Sequence, residues 1–458
     1  MRGIEAALHV LEQVKSGRLA SEVLRKTADI NKMKGADISL ASSLIYLAER
    51  KRELWENIYL DFIKDNSKKS ELPELVKDTL LIGTAGILGL KHFAQGVLVN
   101  ALIDNLKRKK LFQWVRLVNA VLHAVGEGGN AKLEELKSSM SLRDKAIYSG
   151  VPVWSIPVWE KSWARPELLK LFEYISQPPL TCVRAANLDE ASRAELLNNL
   201  KAQDLIAPNY KDDLASQVVR LNTTILPVNI YGFDKGLVTA QSESSVLAAS
   251  LVKKFYKSGL ILDMCSGRGV KAGQILSDLN NFKDLKLEAW ELSTPKHKSA
   301  FKELARLNID KAKFNLKNGN AFDLEPDDTP KFIILDAPCS GSGTWTRKPD
   351  SKWRLDWDKL DKLVYTQKRL LDRALNLCAP GGFVLYITCS LFKNENESVV
   401  SEALNNHKDC VEMPVNFNAL SMGDEKISPF KKGKPWGCYI WPETPWLDGF
   451  YCALIMKK

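Results

Sequence analysis

Residues 260–271 read LILDMCSGRGVK and decide the fold of the larger part of the chain. The apolar run that ends in Asp263 has the composition of a buried strand, and the residues after the loop begin a helix. Between them, Gly267 and Gly269 stand one residue apart, where they let the backbone approach a ligand at the helix N-terminus. The third glycine of the dinucleotide fingerprint is absent. The stretch therefore predicts a strand–loop–helix unit and leaves its ligand open.

Strands and helices alternate around this stretch from about residue 235 to the end of the sequence. Short β-rich runs separated by amphipathic segments predict a parallel sheet covered on both faces, which is a doubly wound α/β domain over residues 235–458. Residues 438–458 consist of two strands around a turn and predict an antiparallel hairpin at the sheet edge. The remaining predicted strands are residues 260–264, 286–292, 313–318, 331–337 and 382–389.

The rest of the chain predicts two further domains, so the fold class is multidomain. At roughly 150 residues per domain, the 458 residues leave room for about three. Residues 1–147 are helical in period and predict an all-α bundle, and residues 148–234 consist of a Pro- and Trp-rich linker followed by a small α+β domain in which Asp189 is a helix N-cap. One apolar stripe of the bundle comprises Ile4, Leu8, Leu11 and Val14.

The chain carries a net charge of +10, from 65 Lys and Arg against 55 Asp and Glu. This excess favours an acidic partner, either nucleic acid or an anionic membrane. Residues 1–147 hold 24 of the basic and 18 of the acidic residues, and therefore most of the excess. Their most basic run is Lys107, Arg108, Lys109 and Lys110. We keep two interpretations of this run, a solvated helix end and an RNA contact.

Hydropathy and cysteine spacing exclude several classes of protein. No stretch approaches 18 apolar residues without a charge, and the first residues alternate apolar and charged positions as an amphipathic helix does. We therefore expect a cytoplasmic protein that does not enter a membrane. The eight cysteines are scattered, without a CxxC pair or histidines at zinc-ligand spacing. The sequence predicts neither a disulfide framework nor a bound metal.

Two of the cysteines follow predicted strands. Cys339 comes after the strand that ends in Asp336, and Cys389 comes after the next strand, both among small or turn-forming residues. Ligands bind beyond the carboxyl ends of the strands in open α/β sheets, so we expect both sulfur atoms at one active-site edge. Glu291 ends the second strand, about 22 residues beyond the glycine loop, where a carboxylate can accept both hydroxyls of a ribose. An exposed acid at a strand end is the alternative interpretation of Glu291.

A thiolate, an acid and an adenosine-containing cofactor together suit one reaction. Carbon 5 of a pyrimidine is a poor nucleophile, but addition of a thiolate to carbon 6 makes it enamine-like and able to attack an electrophilic methyl group. An acid at the ring nitrogen or amine stabilises the charge that develops. The residues therefore indicate methylation of pyrimidine carbon 5 from S-adenosyl-L-methionine. The step Asp336-Ala337-Pro338-Cys339 disfavours methylation of an exocyclic amine.

These motifs resemble those of the Sun-type (RsmB-like) RNA cytosine-5 methyltransferases, whose catalytic domain has a Rossmann-like class I fold. The resemblance covers residues 235–458 and rests on LDMCSGRGVKAGQI, DAPCSGSGTWTRKPDSKW, LCAPGGFVLYITCS and DGFYCAL, and on the helix beginning near Gln367. Residues 148–234 resemble the small RRM-like domain that precedes the catalytic domain in this family. Residues 1–147 resemble, with a weaker signature, the NusB-like RNA-binding domain of its bacterial ribosomal members.

The resemblance implies a role for each residue of the site. Cys389 would be the nucleophile at carbon 6, and Cys339 would assist product release by helping to remove the carbon-5 proton. The residues alone leave these two roles open, because DNA cytosine methyltransferases use the cysteine of their Pro-Cys motif as nucleophile. Asp336 would hold the cytosine edge, and Lys271 would lie near cofactor and base. The cofactor would be held by Asp263, Met264, Cys265, Ser266, Gly267, Gly269, Lys271, Glu291, Asn320 and Asp336.

The chain departs from the family pattern in three places. The first family motif usually reads Ala-Ala-Pro-Gly-Gly-Lys, whereas residues 266–271 read SGRGVK and keep its lysine. Asn320 stands where the family has an Asp that contacts the adenine amine, and an amide oxygen can still accept that hydrogen bond. Asp323 competes with Asn320 for this role. The turn WPETPWLDGF at residues 441–450 lacks the His common in the family.

Chemistry on a base requires an unstacked nucleotide, so we expect a single-stranded or flipped cytosine. Trp345 and Trp353, together with Arg347 and Lys348, could stack on bases and contact phosphates, or the aromatic residues could belong to the core. The expected substrate is 16S ribosomal RNA and the expected state is a monomer. Transfer RNA is the alternative substrate, and a non-catalytic RNA-binding or ribosome assembly factor is the alternative class.

Overall fold

A computed structural model describes residues 2–90, 93–185, 189–208, 210, 217–415 and 430–458. The chain divides into two compact units. The helical unit comprises Met1–Gln177 and Trp345–Asp356, and the α/β unit comprises Pro178–Thr344 and Trp357–Lys458. No helix within the described ranges is both long and apolar enough to cross a membrane. The three domains expected from the sequence, with boundaries at 147/148 and 234/235, stay a prediction.

The helical unit is a bundle, as its periodicity predicts. All four residues of the predicted stripe are at most 3% exposed. Gly83 and Gly86 let neighbouring helices approach closely, because a Cβ at these positions would overlap the side chains of Leu122 and Leu98. The helices are α1 (Arg2–Lys15), α2 (Ala20–Ile30), α3 (Gly35–Arg50), α4 (Arg52–Asp61), α5 (Asn66–Glu71), α6 (Glu74–Gly89), α7 (Gln95–Arg108), α8 (Phe112–Ser138), α9 (Leu142–Ser149), α10 (Ile156–Glu160) and α11 (Arg165–Ser176).

The segment Trp345–Asp356 belongs to the helical unit, although it follows the Cys339 loop in sequence. Trp345 is fully buried, with its ring centroid 5.5 Å from that of Trp159. The Trp353 Nε1–H donates to the Glu49 carbonyl at 2.5 Å, and the buried Lys352 Nζ donates to the Arg50 carbonyl at 2.8 Å. The structure therefore supports core packing for Trp345. Trp353 is half-buried, and stacking of its ring on RNA stays a prediction.

A small antiparallel sheet begins the α/β unit. It consists of β1 (Cys182–Ala185), β2 (Val218–Arg220) and β3 (Val238–Ala240) in the order β2-β1-β3, with α12 (Glu190–Ala202) between β1 and β2. The expected N-cap is confirmed, since the Asp189 carboxylate accepts a hydrogen bond from the Ser192 backbone N–H at 2.7 Å. The sequence did not predict β3.

The main sheet has nine strands. Its path runs β10-β11-β12-β8-β7-β4-β5-β6, and β9 pairs with β12. The strands are β4 (Leu260–Asp263), β5 (Lys286–Glu291), β6 (Phe314–Asn318), β7 (Pro330–Asp336), β8 (Phe383–Thr388), β9 (Cys410–Met413), β10 (Phe430–Lys432), β11 (Cys438–Ile440) and β12 (Phe450–Lys457). The helices are α13 (Glu243–Phe255), α14 (Val270–Asp278), α15 (Thr294–Arg306), α16 (Trp357–Leu377) and α17 (Glu397–Asn406).

The predicted parallel sheet is confirmed, because β6, β5, β4, β7 and β8 pair in parallel. The predicted hairpin of β11 and β12 is also antiparallel, but it does not form the edge. β12 pairs with β8, and β10 lies outside β11. The first six residues of β12 are buried, so this strand gains from a position inside the sheet.

Replacing Trp345 by alanine tests whether this segment completes the helical core. Loss of a large buried aromatic side chain generally costs about 3–5 kcal/mol, and we expect Trp345→Ala to lower the free energy of unfolding of the helical unit by this amount. Urea denaturation followed by circular dichroism measures it. Phe112→Ala, at a side chain that is 63% exposed, serves as the control and should change stability by less than about 0.5 kcal/mol. Equal stability of the two variants would contradict the assignment.

Candidate active site

The loop after β4 combines an open glycine with a packed one. Both Gly267 (φ +61°) and Gly269 (φ +76°) have left-handed backbone conformations, which favour glycine. A Cβ on Gly267 would meet nothing within 4 Å, whereas one on Gly269 would lie 3.0 Å from the Ala300 Cβ. Backbone hydrogen bonds hold the loop, among them Met264 N–H to the Ile334 carbonyl at 3.0 Å and Ser266 N–H to the Trp290 carbonyl at 2.9 Å. A ligand could therefore approach the Gly267 backbone closely, because the space where a Cβ would lie is open.

Glu291 lies at the end of β5 and is 8% exposed. Its carboxylate accepts hydrogen bonds from the Gly267 N–H at 2.9 Å and the Ser293 N–H at 2.7 Å. An exposed acid without a role is therefore the wrong interpretation of this residue. Since each carboxylate oxygen can accept a second hydrogen bond, a ribose role stays a prediction.

Asp263 ends β4 and is 1% exposed. Neither of its carboxyl oxygens has a hydrogen-bond partner of normal geometry among the described residues. Burial and the charge of Asp336 raise its pKa to about 7, while the charge of Lys271 and the Cys265 N–H act in the opposite direction. Burial also raises the pKa of the neighbouring Cys265 thiol. An acid this deeply buried, without a hydrogen bond of normal geometry, points to a ligand at the loop.

The segment after β6 contains the two rival residues for the adenine contact. Asn320 is half-buried, and its Oδ1 accepts a hydrogen bond from the Phe322 N–H at 3.2 Å. Asp323 is exposed. The choice between them stays a prediction.

Lys271 and Asp336 form an ion pair between the first turn of α14 and the end of β7. The Lys271 Nζ lies 2.6 Å from the Asp336 Oδ2, and their side chains are 11% and 32% exposed. Burial lowers the pKa of Lys271, but the charge and hydrogen bond of Asp336 outweigh this effect and raise it above its ordinary value. The lysine is therefore protonated, and it orients a carboxylate that is still accessible at the sheet edge.

The two cysteines singled out by the sequence are in contact. Their Sγ atoms lie 3.3 Å apart, although 50 residues separate them in the chain. The hydrogen bond to Cys389 is the largest cause that raises the pKa of Cys339, followed by burial and the charge of Cys389. Cys339 is consequently a neutral thiol in the free protein.

Sequence reasoning missed the residue that joins the two cysteine loops. Glu395 is fully buried and accepts hydrogen bonds from Ser340, Ser390 and Gln367. Burial raises its pKa, and these hydrogen bonds act in the opposite direction. The only available signal was an acidic residue six positions after Cys389 in the segment NENE, residues 394–397.

The residues expected to contact RNA belong to two separate segments of the helical unit. The run from Lys107 to Lys110 lies at and just beyond the end of α7 and is exposed. Lys107 and Arg108 form ion pairs with Asp104 and Glu5 at 3.7 and 2.6 Å. Arg347 is half-buried and Lys348 is exposed. Their contact with RNA stays a prediction.

One described group, His407, Asp409 and Cys410, could offer three metal ligands within 4.8 Å of one another. The His407 Nε2 already lies 2.8 Å from the Asp372 carboxylate. Burial raises the pKa of Cys410 to about 11, so its thiolate is scarce at neutral pH. The expectation of no bound metal stays a prediction.

Comparison with known proteins identifies relatives of both the helical and the α/β parts of the chain. Residues 252–456 match the family model of the 16S rRNA methyltransferase RsmB/F, and residues 3–127 match that of the NusB family. The chain is 25% identical over 462 aligned residues to "Probable ribosomal RNA small subunit methyltransferase B" of Bacillus subtilis strain 168, covering 99% of this chain and 98% of that protein. The crystal structure of PH0851 shares its fold, with a TM-score of 0.76, 20% identity and coverage of 100% and 98%. A methyltransferase homolog protein from Pyrococcus horikoshii gives a TM-score of 0.53 at 22% identity, covering 70% of this chain and 100% of that chain.

The strand path β6-β5-β4-β7-β8-β12-β11, with β12 antiparallel to β8 and a glycine loop after β4, defines a class I methyltransferase. Its cofactor is S-adenosyl-L-methionine. Residues 252–456 form a methyltransferase domain of the RsmB/F (Sun) type, and residues 3–127 form a NusB domain.

Asp263 provides a test of the electrostatics at this edge. Its folded-state pKa lies above that of an unfolded Asp, so between about pH 4 and 7 the folded chain holds a proton that the unfolded chain has lost. The stabilising neutral form is lost as the pH rises through this window, at a slope of up to about 1.4 kcal/mol per pH unit. We expect Asp263→Asn to remove this slope from the free energy of unfolding, measured in urea without cofactor.

The exposed residue Asp361 on α16 offers a matched control, since Asp361→Asn should leave the pH dependence unchanged. A constant difference between wild type and Asp263→Asn from pH 4 to 7 would show that Asp263 titrates normally.

Proposed function

We propose that the protein transfers a methyl group from S-adenosyl-L-methionine to carbon 5 of a cytosine in small-subunit ribosomal RNA, through a covalent adduct at carbon 6. The observation that carries this proposal is the 3.3 Å contact between the Cys339 and Cys389 sulfur atoms, beside the Lys271–Asp336 ion pair. In this reaction carbon 6 of cytosine must be attacked by a nucleophile, and the adjacent carbon 5 must later lose its proton. Two thiols in contact at one sheet edge match that requirement.

The cofactor would lie along the loop after β4, where it supplies an electrophilic methyl group. Gly267 leaves the backbone accessible there, and neither carboxyl oxygen of the buried Asp263 has a hydrogen bond of normal geometry among the described residues. Glu291 would accept the ribose hydroxyls and Asn320 the adenine amine. These residues, with Met264, Cys265, Ser266 and Gly269, are the proposed cofactor site, and Lys271 and Asp336 close it on the side of the base.

Cys389 would act as the nucleophile. Its thiolate adds to carbon 6, and carbon 5 then takes the methyl group, so the base becomes a saturated adduct at this bond. Asp336 would hold the cytosine edge and stabilise the charge that develops on the ring, while Lys271 keeps this carboxylate in place at 2.6 Å. Loss of the carbon-5 proton restores the double bond and expels the Cys389 thiolate.

Cys339 would accept the carbon-5 proton. In the free protein the hydrogen bond and the charge of Cys389 both raise the pKa of Cys339. Once Cys389 is a thioether, neither effect remains, and burial and Glu395 alone keep the pKa of Cys339 high. The adduct would therefore lower the pKa of Cys339, so that its thiol can lose its proton to solvent and accept the carbon-5 proton as a thiolate.

The ribosomal RNA substrate is supported by the name of the Bacillus subtilis relative and by the NusB domain. The exposed run from Lys107 to Lys110 would contact phosphates, since it belongs to the part of the chain that holds most of the positive charge. Lys348 is exposed as well and Arg347 is half-buried, so both could add to this contact.

The substrate is tested by labelling with tritiated S-adenosyl-L-methionine. Small-subunit RNA from a strain that lacks the gene should accept the labelled methyl group, and bisulfite mapping should place it on a cytosine. Transfer RNA from the same strain is the control for the alternative substrate. Binding of the cofactor with transfer to no RNA would favour an assembly factor.

The two cysteine roles predict opposite behaviour of their variants. Cys389→Ala should lower methyl transfer by about 10⁴-fold or more, because it removes the nucleophile. Cys339→Ala should instead accumulate a covalent protein–RNA adduct, because the carbon-5 proton is no longer removed, and denaturing gel electrophoresis detects it. Cys182→Ala, in the small sheet, is the control and should retain activity. An adduct in Cys389→Ala and none in Cys339→Ala would reverse the roles.

A further inference from the structure

Glu395 lies where the two cysteine loops meet. It ends a short helical turn, Lys393–Glu395, after β8, and its side chain is fully buried. Its Oε1 accepts hydrogen bonds from the Ser340 N–H at 2.8 Å and from the Gln367 Nε2 at 2.9 Å. Its Oε2 accepts from the Ser340 and Ser390 hydroxyls. One carboxylate thus receives four donors, two of which lie in one loop and one in the other.

The donors are the immediate neighbours of the reactive sulfurs. Ser340 follows Cys339 and Ser390 follows Cys389 in the chain, and their hydroxyl oxygens lie 3.1 Å apart. Gln367 extends the network to the Cys339 loop, because its Nε2 also donates to the Pro338 carbonyl at 2.8 Å. The position of each sulfur therefore depends on a backbone that Glu395 holds.

The number of donors explains why an acid occupies this position. An ionised carboxylate has four lone pairs and no proton to place, which matches the four donors. A glutamine could keep its oxygen at the Oε1 position, and its amide N–H groups could be accepted by the two serine hydroxyls, which rotate freely. An alanine would leave the Ser340 N–H and the Gln367 amide without this acceptor inside a buried site.

Glu397 offers a contrast two residues further along. It is also buried, at 4% exposure, but its carboxylate accepts from the Tyr439 hydroxyl at 2.5 Å and from the Lys434 N–H at 3.5 Å. These contacts lead to β11 and the residues before it, and neither cysteine loop is among them.

We propose that Glu395 is a positioning residue for methyl transfer, because its carboxylate ties the Cys339 and Cys389 loops together and keeps both sulfurs at adjacent carbons of the base. This role rests on the proposed function, since a pair of thiols needs a fixed separation only if both act on one substrate. Glu395 does not reach the substrate itself; it acts through Ser340 and Ser390.

A test that needs neither RNA nor cofactor is the formation of a Cys339–Cys389 disulfide. The two thiols would lose two protons and two electrons to oxidised glutathione, which becomes two molecules of reduced glutathione. Peptide mapping by mass spectrometry of the full chain follows the rate. We expect the wild type to form this disulfide, Glu395→Ala to form it at least about 10-fold more slowly, and Glu397→Ala to match the wild type.

Activity provides a second readout. Displacement of reacting groups by about 1 Å can cost about 100-fold in rate, so Glu395→Ala should lower kcat by about this factor while the Kd for S-adenosyl-L-methionine stays within about threefold of the wild type. Glu395→Gln should recover most of the activity, whereas a role as proton acceptor would leave it as inactive as Glu395→Ala. Thermal unfolding checks that each variant is folded; if Glu395→Ala is not, Glu395→Asp withdraws the carboxylate by one methylene and takes its place.

The two proposals fail in different ways. A folded Glu395→Ala that forms the disulfide at the wild-type rate would overturn the positioning role, and so would a wild type that does not form it. Slow disulfide formation in Glu395→Ala, together with a wild type that methylates no cytosine, would overturn the proposed function and leave the positioning role standing.

Discussion

The parallel pairing of β7 with β8 is the constraint on which the site depends. In this pairing Asp336 lies opposite Ile387. Cys339 follows three residues after Asp336, and Cys389 follows two residues after Ile387. Paired strands lie about 4.8 Å apart, and loops that leave them at the same level must meet. The 3.3 Å separation of the sulfurs is a consequence of that register, sharpened by hydrogen bonds between the two loops.

Acidic groups surround this edge, and one buried cation faces them. Asp263, Glu291 and Glu395 are each buried, while Asp336 is partly exposed and paired with Lys271. Burial and negative neighbours raise the pKa of the Cys265 thiol, and the hydrogen bond with Cys389, followed by burial, raises that of Cys339. The free protein therefore holds Cys339 as a neutral thiol.

The helical and α/β units share the chain in an interleaved way. Trp345–Asp356 belongs to the helical unit, although the Cys339 loop precedes it and α16 follows it. Its contacts are long-range: Lys352 donates to a carbonyl 302 residues earlier, and Trp353 to one 304 residues earlier. Truncating the chain after Gln177 would thus remove part of the helical core, because the helical unit is not a single continuous segment of the chain.

The sequence by itself determined those elements that follow from the periodicity of apolar residues and from short motifs. The helical stripes, the five parallel strands, the glycine loop and the Asp189 cap follow from side-chain spacing and backbone preference, which act over a few residues. The likeness of the motifs also led to the two cysteines, Asp336 and Lys271. Local patterns could not place β10 beyond β11, because edge and interior strands differ in their neighbours more than in their composition.

Only the tertiary structure decided which residues meet. Trp345 could have faced RNA or the core, and its burial against Trp159 of α10 settles that choice, because the free energy of an aromatic side chain depends on the partner it finds. Glu395 has an ordinary surface-type sequence context, yet it is fully buried between two loops that come together only when β7 and β8 pair. A buried acid is identified by its hydrogen-bond donors, and donors brought from 28 and 55 residues away are invisible until the chain has folded.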